Sequence, residues 1–262
     1  MTVLLFFVCL TASAVGAVAG FGGGVIIKPV LDALKIMPVS TVSFLSGCTV
    51  LSMSAVSLLR SRKNGVVLQV ETSTPLALGA AAGGLAGKEL FEYIQRSFGR
   101  ETILGLIQSV LLLATTILVF IYILKKDRIP SLQIKNRAAC FIIGLFLGMV
   151  SSFLGIGGGP VNVAALFFFF SMEVKRAAKN SIYIILFSQA FSLVSSLVQG
   201  TVPEFKITWL LCMVFGGIGG ALLGAAASKK LDAGKTERLL YALMLLIIGI
   251  NIYNLFGFIS EM

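Results

Sequence analysis

The sequence contains no histidine, and only 11 of its 262 residues are aspartate or glutamate. Without histidine the chain has no imidazole to ligate a metal or to serve as the base of a serine–histidine triad. Charged residues make up 12% of the chain, compared with about 25% in a typical soluble domain. Because hydrophobic residues make up 57%, a polar surface cannot cover the protein, which excludes a soluble enzyme, a nucleic-acid-binding domain and a disordered chain. We predict an all-α, multi-pass protein of the cell membrane, in contact with lipid, with no metal, no other cofactor and no nucleic-acid partner.

Six apolar stretches are long enough to cross a bilayer, which takes about 20 residues of helix. They cover residues 38–59, 70–91, 102–124, 176–198, 205–227 and 237–258. Two further apolar regions, residues 3–35 and 138–172, are each interrupted by a cluster of glycines. The piece after each cluster has about 12 residues, or about 18 Å of helix, which is too short to cross. We predict that each region is a broken, re-entrant helical element, and that the first is part of the fold rather than a signal peptide, since no basic segment precedes it.

The two halves of the chain carry the same features in the same order, which indicates an internal duplication. When residues 22–24 are aligned with residues 157–159, Ser46 falls on Ser181. In each half a broken element is followed by a serine-rich span, a glycine-rich span and a plain apolar span. We therefore predict repeat 1 over residues 1–127 and repeat 2 over residues 128–262.

The distribution of lysine and arginine predicts the orientation of the two repeats in the membrane. If each broken element returns to the side where it starts, most basic residues gather on one side, which the positive-inside rule places in the cytoplasm. The other side then keeps few of them, among them Lys28, Lys88 and Lys206. If each broken element instead crosses completely, the basic residues divide almost evenly. The first arrangement leaves three crossings per repeat. Because this number is odd, the two repeats have inverted topology, and both termini lie outside. Inverted repeats with broken helices are typical of transporters.

The glycine clusters are the first candidate for a binding site. A helix that restarts inside the bilayer presents unpaired N–H groups and a positive dipole end, which attract an anion by about 0.3–2 kcal/mol. Two such ends facing each other near the midplane would form a symmetric anion site, whereas the alternative is that the glycines only allow tight helix packing. The candidate residues are Gly22, Gly23, Gly24, Gly157, Gly158 and Gly159.

Two polar residues follow the clusters closely. Pro160 suits the first turn of a helix, which supports a helix start at the second cluster. Asn162 either donates a hydrogen bond to an oxyanion or caps the break. Lys28 either neutralises an anion at close range or extends to the membrane interface.

The span that follows each broken element is unusually polar. In the second of these spans Asn180, Ser188 and Ser192 recur at multiples of four and so share a helix face. Neutral hydroxyls and amides can replace water around a small anion, or they can bond one helix to another. The candidate residues of the two spans are Ser43, Ser46, Asn180, Ser181, Ser188, Gln189 and Ser192.

The sequence contains no acidic residue placed to carry a coupling proton or sodium ion deep in the membrane. Asp32 and Glu71 alone stand near the interior of an apolar segment, and both could reach an interface. A pathway without carboxylates suits an anion, which a carboxylate would repel.

The glycine clusters and the polar spans that follow them resemble the sulfite exporter TauE/SafE family of membrane permeases. The resemblance covers about residues 10–258, and its most specific part is the pattern Gly155-Ile156-Gly157-Gly158-Gly159, which residues 20–24 match with Phe21 in the same place. The resemblance implies transport of sulfite, a sulfonate or a related organosulfur anion. The residues alone indicate a transporter that favours an anion. Together with the resemblance, they lead us to expect a membrane transporter of a small anion that works by alternating access.

Three other functions remain open at this stage. An anion channel could use the same scaffold. An intramembrane enzyme needs a nucleophile with a base, or a metal site, and we expect no enzyme because the chain lacks histidine and a deep pair of aspartates. A purely structural partner would not need a duplicated polar span. The glycine-rich third spans suit a homodimer and equally suit packing within one subunit.

Overall fold

The structure is a computed structural model, and it describes residues 1–62, 70–99 and 101–260. The described residues form ten α-helices and one short 3-10 helix, Lys126–Arg128, and contain no strand. The α-helices are α1 (Thr2–Ala19), α2 (Gly24–Leu34), α3 (Val39–Arg62), α4 (Val70–Phe98), α5 (Glu101–Lys125), α6 (Arg137–Leu154), α7 (Gly159–Phe170), α8 (Val174–Val198), α9 (Ile207–Lys230) and α10 (Ala233–Ile259). The all-helical class predicted from composition is confirmed.

Seven of the described helices are long and apolar enough to cross a membrane, namely α1, α3, α5, α6, α8, α9 and α10. Five of them match predicted spans. The sixth predicted span, residues 70–91, is helical within α4, but α4 does not belong to the seven; it carries the charged residues Glu71, Lys88 and Glu89. The remaining two, α1 and α6, are the first arms of the broken elements, and each is long enough to cross by itself.

Both glycine clusters interrupt their helices, as predicted. The first helix ends at Gly20 with φ +79°, and the second break begins at Gly155 with φ +65°. Both values lie in the left-handed region, which glycine enters without a steric cost. The second arms, α2 and α7, have 11 and 12 residues, so neither can cross alone.

The two halves contain equivalent helices in the same order, α1–α5 and α6–α10, and each half packs on the other through equivalent pairs of helices. The first arm α1 packs along α9 of the other half, and α6 packs along α4; likewise α3 contacts α9 while α4 contacts α8. Gly216 faces Phe6 and Gly224 faces Ala14, so α1 and α9 run in the same direction. These contacts fit two related halves, while the inverted orientation in the bilayer stays a prediction.

The glycine-rich third helices pack closely within the subunit. A Cβ atom placed on Gly79, Gly83 or Gly87 would lie 2.0, 1.9 or 2.2 Å from a carbonyl oxygen of α6. A Cβ atom on Gly220 would lie 2.3 Å from the carbonyl oxygen of Leu10 in α1. Both stripes are therefore covered by helices of the same chain, which is the close packing that the spacing predicts.

Replacing Gly83 with alanine is expected to destabilise the protein. The new methyl group would meet the backbone of Leu145, which no rotamer change can relieve, and such overpacking costs about 1–3 kcal/mol or more. The matched control is Gly249→Ala in α10, where no described heavy atom lies within 4 Å of the added Cβ. We expect a clearly lower melting temperature in detergent for Gly83→Ala alone, and equal melting temperatures for the two variants would contradict the packing described here.

Candidate functional site

The two glycine breaks lie in direct contact. A Cβ atom placed on Gly24 would be 2.5 Å from the carbonyl oxygen of Ile156, and one on Gly159 would be 3.1 Å from the Cβ atom of Val25. Two side chains, Val50 of α3 and Ile185 of α8, contact both Gly22 and Gly157. The tips of the two broken elements therefore meet between α3 and α8, deep in the protein, as the sequence predicts.

Each second arm begins at this meeting point. By helix geometry its first N–H groups have no acceptor within the helix. Neither start carries a side-chain cap hydrogen bond within the described part of the chain, although the amide of Gly23 lies 3.2 Å from the Sδ atom of Met53. Pro160 stands in the first turn of α7, where a proline costs no hydrogen bond. The positive ends of α2 and α7 are thus brought together without a neutralising side chain among the described contacts of the break glycines.

Asn162 lies one turn into α7 and is completely buried. A Cβ atom on Gly158 would touch its side-chain amide, so the side chain lies against the break. Neither Oδ1 nor Nδ2 has a hydrogen-bond partner among the described residues. The interpretation of Asn162 as a cap is therefore wrong, and its role as a donor to an oxyanion stays a prediction.

Lys28 forms an ion pair that neither interpretation from the sequence included, and its role in neutralising an anion stays a prediction. Its Nζ atom lies 2.8 Å from Oδ2 of Asp32, one turn further along α2, and the two side chains are 3% and 6% exposed. Lys28 therefore does not extend to an interface, and Asp32 already neutralises its charge. Asp32 is buried too, because α2 packs against α1, α3 and α10, whereas Glu71 is exposed.

Replacing Asp32 with asparagine is expected to destabilise the protein strongly. The change leaves the ammonium group of Lys28 buried without a counter-charge, which costs about 3–5 kcal/mol. The double variant Lys28→Met/Asp32→Leu removes both charges and should recover most of this loss. Melting temperatures of the single and double variants in detergent test the pair, and a single variant as stable as the wild type would contradict its burial.

Four of the predicted polar residues on α8 bind other parts of the chain. The hydroxyl of Ser181 donates to the carbonyl oxygen of Gly20 at 2.6 Å, so it holds the first break in place. Ser192 accepts from Ser152 of α6 at 2.7 Å. Ser188 lies 3.4 Å from Ser151 of α6, and Asn180 accepts from Ser73 of α4. For these four residues the structure favours hydrogen bonding between elements of the fold over an open pathway.

The other three predicted polar residues have unpaired groups. The hydroxyls of Ser43 and Ser46 and the Nε2 atom of Gln189 are buried and have no hydrogen-bond partner in the described part of the structure. Buried polar groups are nearly always paired, so groups left unpaired in this way need an explanation. They are available to bind a solute.

A small cavity beside the second break contains two of these groups. Its volume is about 30 Å³, enough for a molecule the size of water. It is lined by Ser40, Ser43, Phe44, Gly47, Lys88, Phe91, Ser152, Gly155, Gln189, Ser192, Leu193 and Ser196. A larger open pocket of about 550 Å³ lies at the opposite end of α7 from the break. Its Lys126 forms an ion pair with Glu237 at 2.6 Å.

Lys88 is the one charged residue that lines the described part of this cavity, and from the sequence it was placed only among the basic residues of the outer side. The packing of α4 on α8 identifies it. Gly84 packs on the backbone of Ser188 in α8, and Lys88 lies one turn further on the same face of α4. A cation on the face that contacts the polar helix is a candidate for binding an anion.

These helices and the two broken elements that meet between them define a multi-pass helical membrane protein with the pattern of a transporter. Residues 5–252 match the family described as Sulfite exporter TauE/SafE, and the chain belongs to that family of membrane transporters. This membership is consistent with the expectation that the protein is not an enzyme.

One curated relative is the "Probable membrane transporter protein YunE" of Bacillus subtilis (strain 168). The two sequences are 32% identical over 114 residues, which is 43% of this chain and 38% of the relative. The chain thus spans well under half of that relative's length. No solved structure matches the chain significantly.

Proposed function

We propose that the protein transports a small anion across the cell membrane, and that the anion is sulfite, a sulfonate or a related organosulfur anion. The observation that carries the proposal is the direct contact between the two helix breaks, which brings two positive helix ends to one buried place. Unpaired neutral groups lie beside the second break, among them Asn162 against Gly158 and Gln189 in the cavity that Gly155 lines. Membership of the sulfite exporter family supports the choice of a sulfur oxyanion.

The chemistry of this place suits an oxyanion. The oxygens of sulfite or of a sulfonate accept hydrogen bonds, and amide and hydroxyl groups can donate them without adding a charge of their own. Among the described neighbours of the break glycines there is no carboxylate, and the nearest one along α2, Asp32, is neutralised by Lys28. At the break glycines an anion would therefore meet donors and positive dipole ends, with no carboxylate among the described neighbours.

The path of the first broken element supports a re-entrant interpretation. Helix α1 runs in the direction of α9. The end of α2 lies against the end of α10, where a Cβ atom on Gly257 would lie 3.6 Å from the side chain of Lys35, and Asn254 donates to the carbonyl oxygen of Pro29 at 2.9 Å. Since α9 and α10 are consecutive crossings, the beginning of α9 and the end of α10 belong to the same side. The element that begins at α1 would then return to the side where it started.

The second broken element follows the equivalent path. Helix α6 runs in the direction of α4, and Phe168 near the end of α7 accepts from the amide of Leu132, just after α5. The ends of α8 and α4 are also linked, through Thr201 and Glu92, so α9 begins on the side where α4 ends. The two broken elements would thus enter from opposite sides, which supports inverted repeats and transport by alternating access.

The proposal is tested with the purified protein in liposomes and radiolabelled sulfite. We expect saturable uptake above that of empty liposomes, and faster uptake when unlabelled sulfite is present inside. Gly158→Leu should reduce uptake nearly to the background, because φ is +90° at this position and the side chain would displace Asn162. Unchanged uptake in this variant would remove the site between the breaks, whereas non-saturating flux with single-channel currents would favour an anion channel.

A further inference from the structure

We infer that Lys88 binds the negative charge of the transported anion in the cavity beside the second break. The inference rests on the proposed function and adds to it the one group that distinguishes an anion from a neutral solute. It also places the charged contact in one half of the protein only.

Lys88 is largely but not fully buried, and its one ion-pair partner among the described residues, Glu92, is shared. Its side chain is 12% exposed, and its Nζ atom lies 3.1 Å from Oε1 of Glu92 and 5.1 Å from the centre of the Phe91 ring. Glu92 has two other partners, because Arg96 lies 3.2 Å from its Oε2 atom and Thr201 donates to its Oε1 atom. Lys88 can therefore turn toward an anion while Glu92 keeps a cation and a hydrogen bond.

The cavity beside Lys88 offers two further donors. Ser43 and Gln189 both line it, and the hydroxyl of Ser43 and the Nε2 atom of Gln189 are buried without a partner among the described residues. An oxyanion bound to Lys88 would supply acceptors for both groups, which would explain why the fold leaves them unpaired. No other cation lines the described part of the cavity.

Two glycines and two flexible side chains determine the room in this cavity. A Cβ atom on Gly47 would lie 3.0 Å from Oε1 of Gln189, and one on Gly155 would lie 2.9 Å from the Cβ atom of Ser43, so larger residues would fill the space. At about 30 Å³ the cavity holds little more than a water molecule, and a sulfur oxyanion needs it to widen. Rotation of Lys88 and Gln189, both long and flexible, provides that widening.

The equivalent place beside the first break lacks these features. There Gly20 packs on Ala178, with 2.2 Å between a Cβ atom on Gly20 and the Cα atom of Ala178, and Ala178 is the counterpart of Ser43. When Gly83 is aligned with Gly220 in the glycine-rich third spans, Lys88 corresponds to Ala225. When residues 22–24 are aligned with residues 157–159, Gln189 corresponds to Ser54. The duplication therefore supplies two similar helix ends, whereas the charged group comes from repeat 1 alone.

The test compares Lys88→Gln with Arg96→Gln, both made in the full chain. Arg96 also binds Glu92, but it is 73% exposed and does not line the cavity, so it controls for the loss of one cation from this carboxylate. In liposomes we expect Lys88→Gln to raise the KM for sulfite about ten- to hundredfold, which is the usual worth of a hydrogen bond to a charged group. Arg96→Gln should stay within about twofold.

Two more variants keep the test decisive if Lys88→Gln folds poorly. Lys88→Arg keeps the charge and should recover part of the affinity. Gln189→Met keeps the side-chain volume at position 189 and leaves Lys88 in place, but it removes a hydrogen-bond donor. It should therefore raise KM by a smaller factor than Lys88→Gln does. Binding is measured by the melting temperature in detergent. We expect sulfite or methanesulfonate to raise the melting temperature of the wild type, and the uncharged dimethyl sulfone to leave it unchanged. Lys88→Gln should show no increase with either anion.

The outcomes separate the inference from the proposed function. If the wild type takes up sulfite and Lys88→Gln has the KM of Arg96→Gln, the inference is overturned and the proposed function stands. If the wild type takes up neither sulfite nor methanesulfonate, the proposed function fails. The absence of any anion-dependent change in its melting temperature would then overturn the inference too.

Discussion

Replacing Gly24 with alanine is expected to lower sulfite uptake at least about tenfold while the protein still inserts into the membrane. Gly24 is the first residue of α2, and an added Cβ atom would lie 2.5 Å from the carbonyl oxygen of Ile156 and 2.7 Å from a methyl group of Val50. The closer contact is with backbone, so no side-chain rotation can relieve it. The two tips must then separate, and the helix ends no longer converge on one place.

The matched control for this prediction is Gly234→Ala in the first turn of α10, where the nearest atom to the added Cβ lies 3.8 Å away. Alanine favours a helix over glycine, so this control should insert and transport like the wild type. Uptake is measured in liposomes with equal amounts of each protein, checked by gel filtration in detergent. Wild-type uptake by Gly24→Ala would show that contact between the tips is not needed for transport.

The position of the breaks could be predicted because it depends on local properties of the chain. Apolar length predicts helices, and a run of glycines such as residues 155–159 ends a helix without help from distant residues. The contact between the two breaks depends on more than local properties, but the duplication made it predictable, since a pseudo-two-fold axis relates equivalent elements. These are the parts of the fold on which sequence and structure agree.

The roles of individual polar residues could not be predicted in the same way. Ser43 and Ser188 look alike in sequence, yet Ser188 lies opposite Ser151, whereas Ser43 faces a cavity with no partner for its hydroxyl among the described residues. Which case applies depends on the neighbouring helix, and no periodicity within one span contains that information. By contrast, the ion pair of Lys28 and Asp32 was predictable, because residues four apart are neighbours on a helix.

Lys88 was missed for a related reason. Its cavity is formed by residues of α3, α4, α6 and α8, which are far apart in the chain. Comparing the two repeats also directs attention to features that both halves share, whereas Lys88 has an alanine, Ala225, as its counterpart. A charged group present in one repeat only is therefore easily taken for a residue that sets topology.

Replacing Asn162 with aspartate is expected to reduce anion uptake at least about a hundredfold. The side chain of Asn162 is completely buried beside the second break, and an aspartate there would hold a fixed negative charge where the anion is proposed to bind. Two like charges about 4 Å apart repel by about 4 kcal/mol at an effective dielectric constant of 20, which is nearly a thousandfold in binding. Asn162→Leu removes only a hydrogen-bond donor and should reduce uptake about tenfold.

A sulfonate is the better substrate for this experiment because it stays ionised as the pH is lowered. Protonation of the new aspartate then removes the repulsion, so uptake by Asn162→Asp should rise at acidic pH toward the level of Asn162→Leu. Asn251→Asp is the control for the cost of burying a carboxylate in a spanning helix, since Asn251 is buried in α10 and donates to the carbonyl oxygen of Ile247. If Asn162→Asp transports like Asn162→Leu at every pH, the anion does not approach the start of α7, and binding between the breaks is contradicted.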